Sequence, residues 1–197
     1  MDSVVLSGPK THLLGYVRSL AYHRHGLETG IKNRTRDLAQ DSGGYLSALR
    51  NLRSLSLDNF RVEHISEEEF RICFSTFRET LTTLLLQSPD TSLSAFLTLI
   101  DYFPNVTTLT LSSLVMEPDQ GPVPLLSRPL RGKIHIHEYT TDYLEFFDRF
   151  AKLDLEYEQM IISTYFRLLD TKILESVLRI STSTVKGLRL VGELHRE

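Results

Sequence analysis

The chain has 197 residues, 41% of them hydrophobic, with 22 basic against 25 acidic side chains and a net charge of -3. That length and apolar content suit one ordinary domain whose core holds without staples, and the balanced charge excludes a global field that draws in nucleic acid or an anionic membrane. A single cysteine, Cys73, excludes an internal disulfide and a cysteine zinc cage, and fits a reducing compartment.

The start of the chain, Met1 to Pro9, lacks a basic segment followed by a long apolar stretch, so no secretory signal is read there. No apolar run approaches the roughly 18 to 20 residues that span a bilayer. Cytoplasm or nucleus is the expected compartment. The triplets Asn33-Arg34-Thr35 and Asn105-Val106-Thr107 therefore read as chance glycosylation matches. Residues 1–16 form an N-terminal extension, 17–191 the domain and 192–197 a tail.

In chain order, the first element is a strand carrying Val17, Leu20 and Tyr22. The same Leu-x-x-Leu-x-Leu spacing returns at Leu52-Leu55-Leu57, Leu81-Leu84-Leu86, Val106-Leu109-Leu111, Tyr157-Met160-Ile162 and Val185-Leu188-Leu190. Ile134-Ile136, preceded by Leu130, carries one extra residue. The last apolar position of each copy falls at 22, 57, 86, 111, 136, 162 and 190, so the intervals are 35, 29, 25, 25, 26 and 28 residues. A competing register, Phe150-Leu153-Leu155, breaks that rhythm. Alternation within each copy, as in Leu55-Ser56-Leu57, is what a strand with one buried face requires.

Helices are expected between the strands. Ser66-Glu67-Glu68-Glu69 is a capping box opening a helix with Phe70, Cys73, Phe74, Phe77 and Leu81 on one stripe. Thr91 or Ser92 caps a second with Leu93, Phe96, Leu97 and Ile100, closed by Pro104. Glu117 to Pro124, with three prolines in its last seven residues, reads as an extended loop. Asp142 opens a helix with Phe146, Phe147 and Phe150, and Asp170 one with Ile173, Leu174, Val177 and Leu178.

Strand and helix alternating at such intervals give an α/β fold, either a doubly wound sheet or a solenoid. Doubly wound strands are near-continuous apolar runs, whereas here one face carries Ser, Thr, Gln, His and Arg. The expectation is an irregular leucine-rich-repeat solenoid of about seven parallel strands on a concave face with helices on the convex side. Regular repeats of this type place Asn two residues beyond the strand; Phe60, Pro89 and Leu114 stand there instead, so a looser stack is expected.

The segments Leu49 to Leu57, Asp101 to Leu109, Pro124 to Gly132 and Leu144-Glu145-Phe146-Phe147 resemble the leucine-rich-repeat region of fungal, mushroom-type F-box-like proteins, over roughly residues 16 to 194. The resemblance implies repeats that hold the substrate of a cullin ubiquitin ligase, whose adaptor docks on an N-terminal helical module. This chain departs from that pattern before Val17, where neither the module nor its Leu-Pro opening is found.

The register names the outward surface. Its first half is small and weakly charged, with Ser54, Ser56, Asp58, Thr83, Leu85, Gln87, Thr108, Thr110 and Ser112. Its second half carries Lys133, His135, His137, Gln159, Ile161, Ser163, Arg189 and Val191. A protein partner is expected on that second half, at Lys133, His135, His137, Gln159, Ile161 and Arg189. With histidines in the contact, such binding varies between about pH 5 and 8.

His135 and His137, about 7 Å apart along one strand face, also suggest zinc or a hydrolase. Zinc needs a further ligand, and the expected neighbours Thr110, Ser112, Gln159 and Ser163 are poor ones, while His23 lies roughly 19 Å off. No nucleophile elbow, phosphate loop or zinc-protease helix is present. The pair reads as polar surface, and no metal or cofactor is expected.

Other candidates have structural readings. His23-Arg24-His25 is a solvated strand end, Cys73 is core, and Glu67 to Glu69 complement a helix dipole. Lys32, Arg34, Arg36, Arg50 and Arg53 lie among Glu28, Asp37 and Asp41 as a solvated face. Pro122-Val123-Pro124 is a stiff connector. Gly192 to Glu197 offers no polar cap, so a longer gene product, or an edge covered by a partner or second copy, is expected.

Overall fold

The computed structural model describes residues 15–23, 46, 48–58, 67–87, 90–113, 115–117, 126–137, 150, 153, 155–165, 175, 178–179 and 185–193. The strands are β1 (Ser19–His23), β2 (Ser54–Asp58), β3 (Thr83–Gln87), β4 (Asp90–Ser92), β5 (Thr108–Ser112), β6 (Val115–Glu117), β7 (Leu130–His137), β8 (Leu155–Tyr165) and β9 (Leu188–Glu193). The helices are α1 (Glu67–Phe74), continued by a 3-10 turn over Ser75–Phe77, and α2 (Leu93–Tyr102). None of the described helices is long and apolar enough to cross a membrane.

The architecture is α/β, built on one seven-stranded sheet in the order β1-β2-β3-β5-β7-β8-β9, with every neighbouring pair parallel. Apart from β4 and β6, the strands lie side by side in the order in which the chain makes them. The pairing follows the aliphatic spacing residue by residue: Tyr22, Leu57, Leu86, Leu111, Ile136, Ile162 and Leu190 form one continuous row. Tyr157-Met160-Ile162 is thus the register of β8. Leu155, from the competing spacing, begins that strand and pairs with Leu130.

Alternation decides which face is buried. Leu55, Leu57, Leu84, Leu86, Leu109, Leu111, Ile134, Ile136, Met160 and Ile162 are all buried, and the residues between them are more open. Against this aliphatic face packs an aromatic cluster in which Phe70, Phe74 and Tyr102 meet edge to face. Phe77 and Phe103 stack with centroids 6.1 Å apart. Cys73 is buried beside them. At the two outer strands the core thins: Leu20 and Tyr22 are half-buried, and Leu190 is 43% exposed.

Three polar side chains fasten neighbouring turns just before the strands. Asn51 Nδ2 donates to the Gly15 carbonyl at 2.8 Å, Thr80 Oγ1 to Leu52 at 2.8 Å, and Asn105 Nδ2 to Glu79 at 2.7 Å. Each stands immediately ahead of the first aliphatic of its copy (Leu52, Leu81, Val106). One step further on, a single carbonyl accepts two amides from the next strand: Arg18 from Arg53 and Ser54, Arg53 from Thr82 and Thr83, Thr82 from Thr107 and Thr108. Backbone groups at these strand starts are thereby satisfied.

This regularity breaks at Gly132. The extra residue ahead of Ile134 is taken up there with φ +90, and the Lys133 amide donates to Thr107 at 2.7 Å. Next door, β8 carries one residue more than β7 between the pairs Gly132/Tyr157 and Lys133/Gln159, a local bulge.

Several expectations are corrected. The helix expected to run on to Leu81 is shorter: α1 ends at Phe74, and a 3-10 turn brings Phe77 inward before Leu81 leads into β3. Thr91 caps nothing. It lies in β4, fully buried, and Ser92 is the cap, its hydroxyl accepting from the Ala95 amide at 3.2 Å, a contact worth about 1 kcal/mol. Glu117 belongs to a strand, because Val115–Glu117 pairs in parallel with Asp90–Ser92 as a small second ribbon. The last strand, β9, runs to Glu193. Ser66, the loop over 118–124, the asparagine-equivalent positions 60, 89 and 114, and the basic segment 24–45 lie outside the described residues. So do the helices expected from Asp142 and Asp170, apart from Phe150, Glu175, Leu178 and Arg179. Phe150 is buried and stacked on Tyr157.

Candidate functional site

The outward residues of β7, β8 and β9 form a grid fixed by the pairing. Lys133 lies opposite Gln159; His135, Ile161 and Arg189 make the next row; His137, Ser163 and Val191 make the third. On the far side of β7, Thr108, Thr110 and Ser112 of β5 flank Lys133, His135 and His137 in the same order. All six residues expected to contact a partner therefore stand on three adjacent strands. Lys133 and Arg189 are exposed, while His135, His137, Gln159 and Ile161 are half-buried.

Two details differ from the expectation. Ser163, assigned to the open surface, is only 6% exposed. It is one partner of a hydrogen bond across the sheet, His135 Nε2 to Ser163 Oγ at 2.9 Å. That bond runs diagonally, since Ile161 and not Ser163 lies directly opposite His135. The two imidazoles are also closer than strand rise alone suggests, with ring centroids 5.6 Å apart at 62°. Side-chain rotation, which spacing cannot give, brings them edge to face.

Burial, and secondarily the neighbouring His137, hold the His135 imidazole below its ordinary value. Near neutral pH it is uncharged, which suits a hydrogen bond with a hydroxyl. Below about 6.5 the unfolded imidazole takes up a proton that the folded one still refuses, so stability falls as pH drops through the window between those values and is flat above it. Thermal melts on either side of that window are expected to show a smaller acid-side loss for His135→Gln than for the parent chain. An identical loss in both would remove His135 as a contributor.

Elsewhere polar groups serve the fold. Asp101 Oδ1 accepts from the Ser127 amide at 2.9 Å and from its hydroxyl at 2.7 Å, and the Arg128 guanidinium donates to the Phe103 carbonyl, tying the turn before β7 to the end of α2. Arg78 Nε donates to the Tyr102 carbonyl at 2.9 Å and its guanidinium lies over the Tyr102 ring. Among the described residues no three His, Cys, Asp or Glu side chains gather as a metal would require. His23 closes β1, four strands from β7.

The burial of Ser163 and its bond to His135 were missed from sequence. A serine two residues past Ile161, on a strand pairing with a histidine strand, was the available signal, and only the diagonal geometry gives it meaning. Comparison with known proteins adds no assignment: no family model, no curated protein and no solved structure matches the chain.

Proposed function

We propose that the chain is a non-enzymatic protein-interaction scaffold, an irregular leucine-rich-repeat solenoid that holds a protein partner on the outer, concave face of β7 to β9. The carrying observation is the grid itself. Lys133, His135, His137, Gln159, Ile161 and Arg189 occupy one contiguous patch of a sheet face, with two exposed cations around a half-buried aliphatic side chain.

The solenoid reading is supported by strands laid down in sequence order without reversal. A doubly wound sheet instead reverses its strand order, and its ligand crevice forms at that reversal. It is also supported by polar side chains at equivalent places that join each unit to the one before. Stacked units of this kind present one long surface suited to a macromolecule.

The test is a photo-crosslinking amino acid placed at Ile161, with a control at the exposed Thr98 on α2. A defined protein adduct is expected from position 161 alone, and less of it when Lys133 and Arg189 are changed to alanine. Equal adducts from both positions, or none from 161, would refute the assignment. If the captured protein is a ubiquitin-ligase adaptor or its client, the narrower role of substrate receptor follows.

A second reading, hydrolysis at a Ser-His pair, is favoured by the 2.9 Å contact between His135 and Ser163. It expects labelling by a serine-directed fluorophosphonate that disappears in Ser163→Ala. An unlabelled parent chain disposes of it.

A further inference from the structure

We infer that the segment bound on this face is an acidic, extended peptide carrying an aliphatic side chain between its carboxylates, an inference that rests on the proposed interaction site.

Charge carries the first part. The whole chain bears -3, yet the outward residues that β5, β7, β8 and β9 contribute to the grid include no carboxylate. They are Thr, Ser, Gln, Gly, Ile and Val beside Lys133, Arg189 and two histidines. Beyond the three rows, Glu193 follows Val191 by two residues on β9, about 7 Å further along that strand, and Asp58 on β2 is three strands from β7, about 14 Å away. Glu156 and Glu158 stand at the leading end of β8, outside the three rows. Glu156 is engaged by Arg131 at 2.6 Å, the pair being largely solvated. The ion pairs among the described residues, Arg131 with Glu156 and Arg78 with Glu79, leave Lys133 and Arg189 uncommitted. A patch of the opposite sign to the molecule that bears it selects an anionic partner and repels a second copy of the same net charge.

Spacing carries the second part. Lys133 and Arg189 are two strands and one outward row apart, roughly 12 Å at ordinary sheet dimensions, and Ile161 lies between them. In an extended peptide, side chains four residues apart are about 13 Å apart and the one midway faces the same way. A sequence of the form Glu-x-Leu-x-Glu therefore sets a carboxylate at each cation and its leucine over Ile161. A nucleic acid lacks the aliphatic group, and the three rows hold no Phe, Tyr or Trp on which a base can stack.

His135 adds a pH dependence. His135 is faced by Lys133 and His137 on its own strand, by Thr110 and Ser112 from β5, by Gln159, Ile161 and Ser163 from β8, and by Arg189 beyond. No described carboxylate in these rows compensates a proton gained there. Acidification therefore makes the face more positive while the peptide stays charged down to about 4.3.

The experiment is fluorescence anisotropy with the intact chain and three short synthetic peptides: repeats of Glu-Ser-Leu-Ser, the same with Lys for Glu, and the same with Ser for Leu. Saturable binding is expected for the first alone, stronger at about pH 5.5 than at about pH 7.5. Lys133→Ala together with Arg189→Ala is expected to weaken it about three- to tenfold, with an unchanged thermal melt showing that the variant folds. Equal binding of the Lys and Glu peptides overturns the inference, as does displacement of the Glu-Leu peptide by oligouridylate. If no peptide binds while the crosslink from Ile161 still captures a protein, the acidic partner falls and the interaction site stands. If neither occurs, both fall.

Discussion

Gly132→Ala is expected to destabilise the protein by about 2 to 5 kcal/mol, the largest effect of any single methyl group in the described structure. Gly132 has φ +90, a conformation that costs an L side chain roughly 1 to 2 kcal/mol. A Cβ there also overlaps the Thr107 carbonyl, standing 2.8 Å from its carbon and 2.9 Å from the Thr107 Cα. Those are backbone atoms of the neighbouring turn, so no side chain can swing aside, and forcing such a contact adds about 1 to 3 kcal/mol. The damage falls where the Lys133 amide bonds to that same carbonyl. Gly187→Ala is the control, since its Cβ meets only the Glu158 carbonyl oxygen at 3.5 Å, an ordinary contact. Urea unfolding of both variants checks the contrast, and a Gly132→Ala midpoint matching that of Gly187→Ala would contradict it.

Phe77→Ala is expected to cost about 3 to 5 kcal/mol, the usual range for a buried phenylalanine replaced by alanine. The ring has no exposed surface, stacks on Phe103 and meets Phe74 edge to face with centroids 5.8 Å apart. Its removal opens a void between the 3-10 turn and the end of α2, bounded by other aromatic rings too large to collapse into it. For a chain of this length that is a fall in melting temperature of roughly 6 to 20 °C. Cys73, 1% exposed in the same cluster, supplies a second readout, because its thiol should react faster with a disulfide reagent when the cluster loosens. Ile72→Ala, at a half-exposed position on the opposite side of α1, should change both quantities little.

These two positions are also the junctions that place the candidate site. The aromatic cluster holds α1 and α2 against the aliphatic face of the sheet, and Gly132 lets β7 absorb an extra residue before its outward side chains begin. A rigid inner face keeps Lys133, His135 and His137 in register with Gln159, Ile161 and Arg189, which is what a surface needs if it is to recognise a partner by position.

Much of this was legible in the order of residues alone. Strict alternation within a spacing that returns every 25 to 35 residues foretold every pairing of the seven-stranded sheet, including the choice of Tyr157-Met160-Ile162 for β8, because the side-chain period of a strand is two and a slip of one residue would turn Met160 and Ile162 to the open face. The same alternation placed the six candidate contact residues on one surface, and the three- and four-residue stripe of a helix placed Cys73 in the core. Periodicity is a local property, and a parallel sheet built in chain order translates it directly into neighbours.

What only the tertiary structure decided depends on groups far apart in the chain. The ribbon of Asp90–Ser92 with Val115–Glu117 has three residues a side, too few to show a period, and exists because two distant segments satisfy each other's backbone. Gly132 looks like any glycine until the Thr107 carbonyl stands against it. The pairing of Ser163 with His135, and the lowered proton affinity of that imidazole, arise from rotamers and burial that spacing does not encode. Sequence pattern determined which residue faces which way along each strand; three-dimensional packing determined what each one touches.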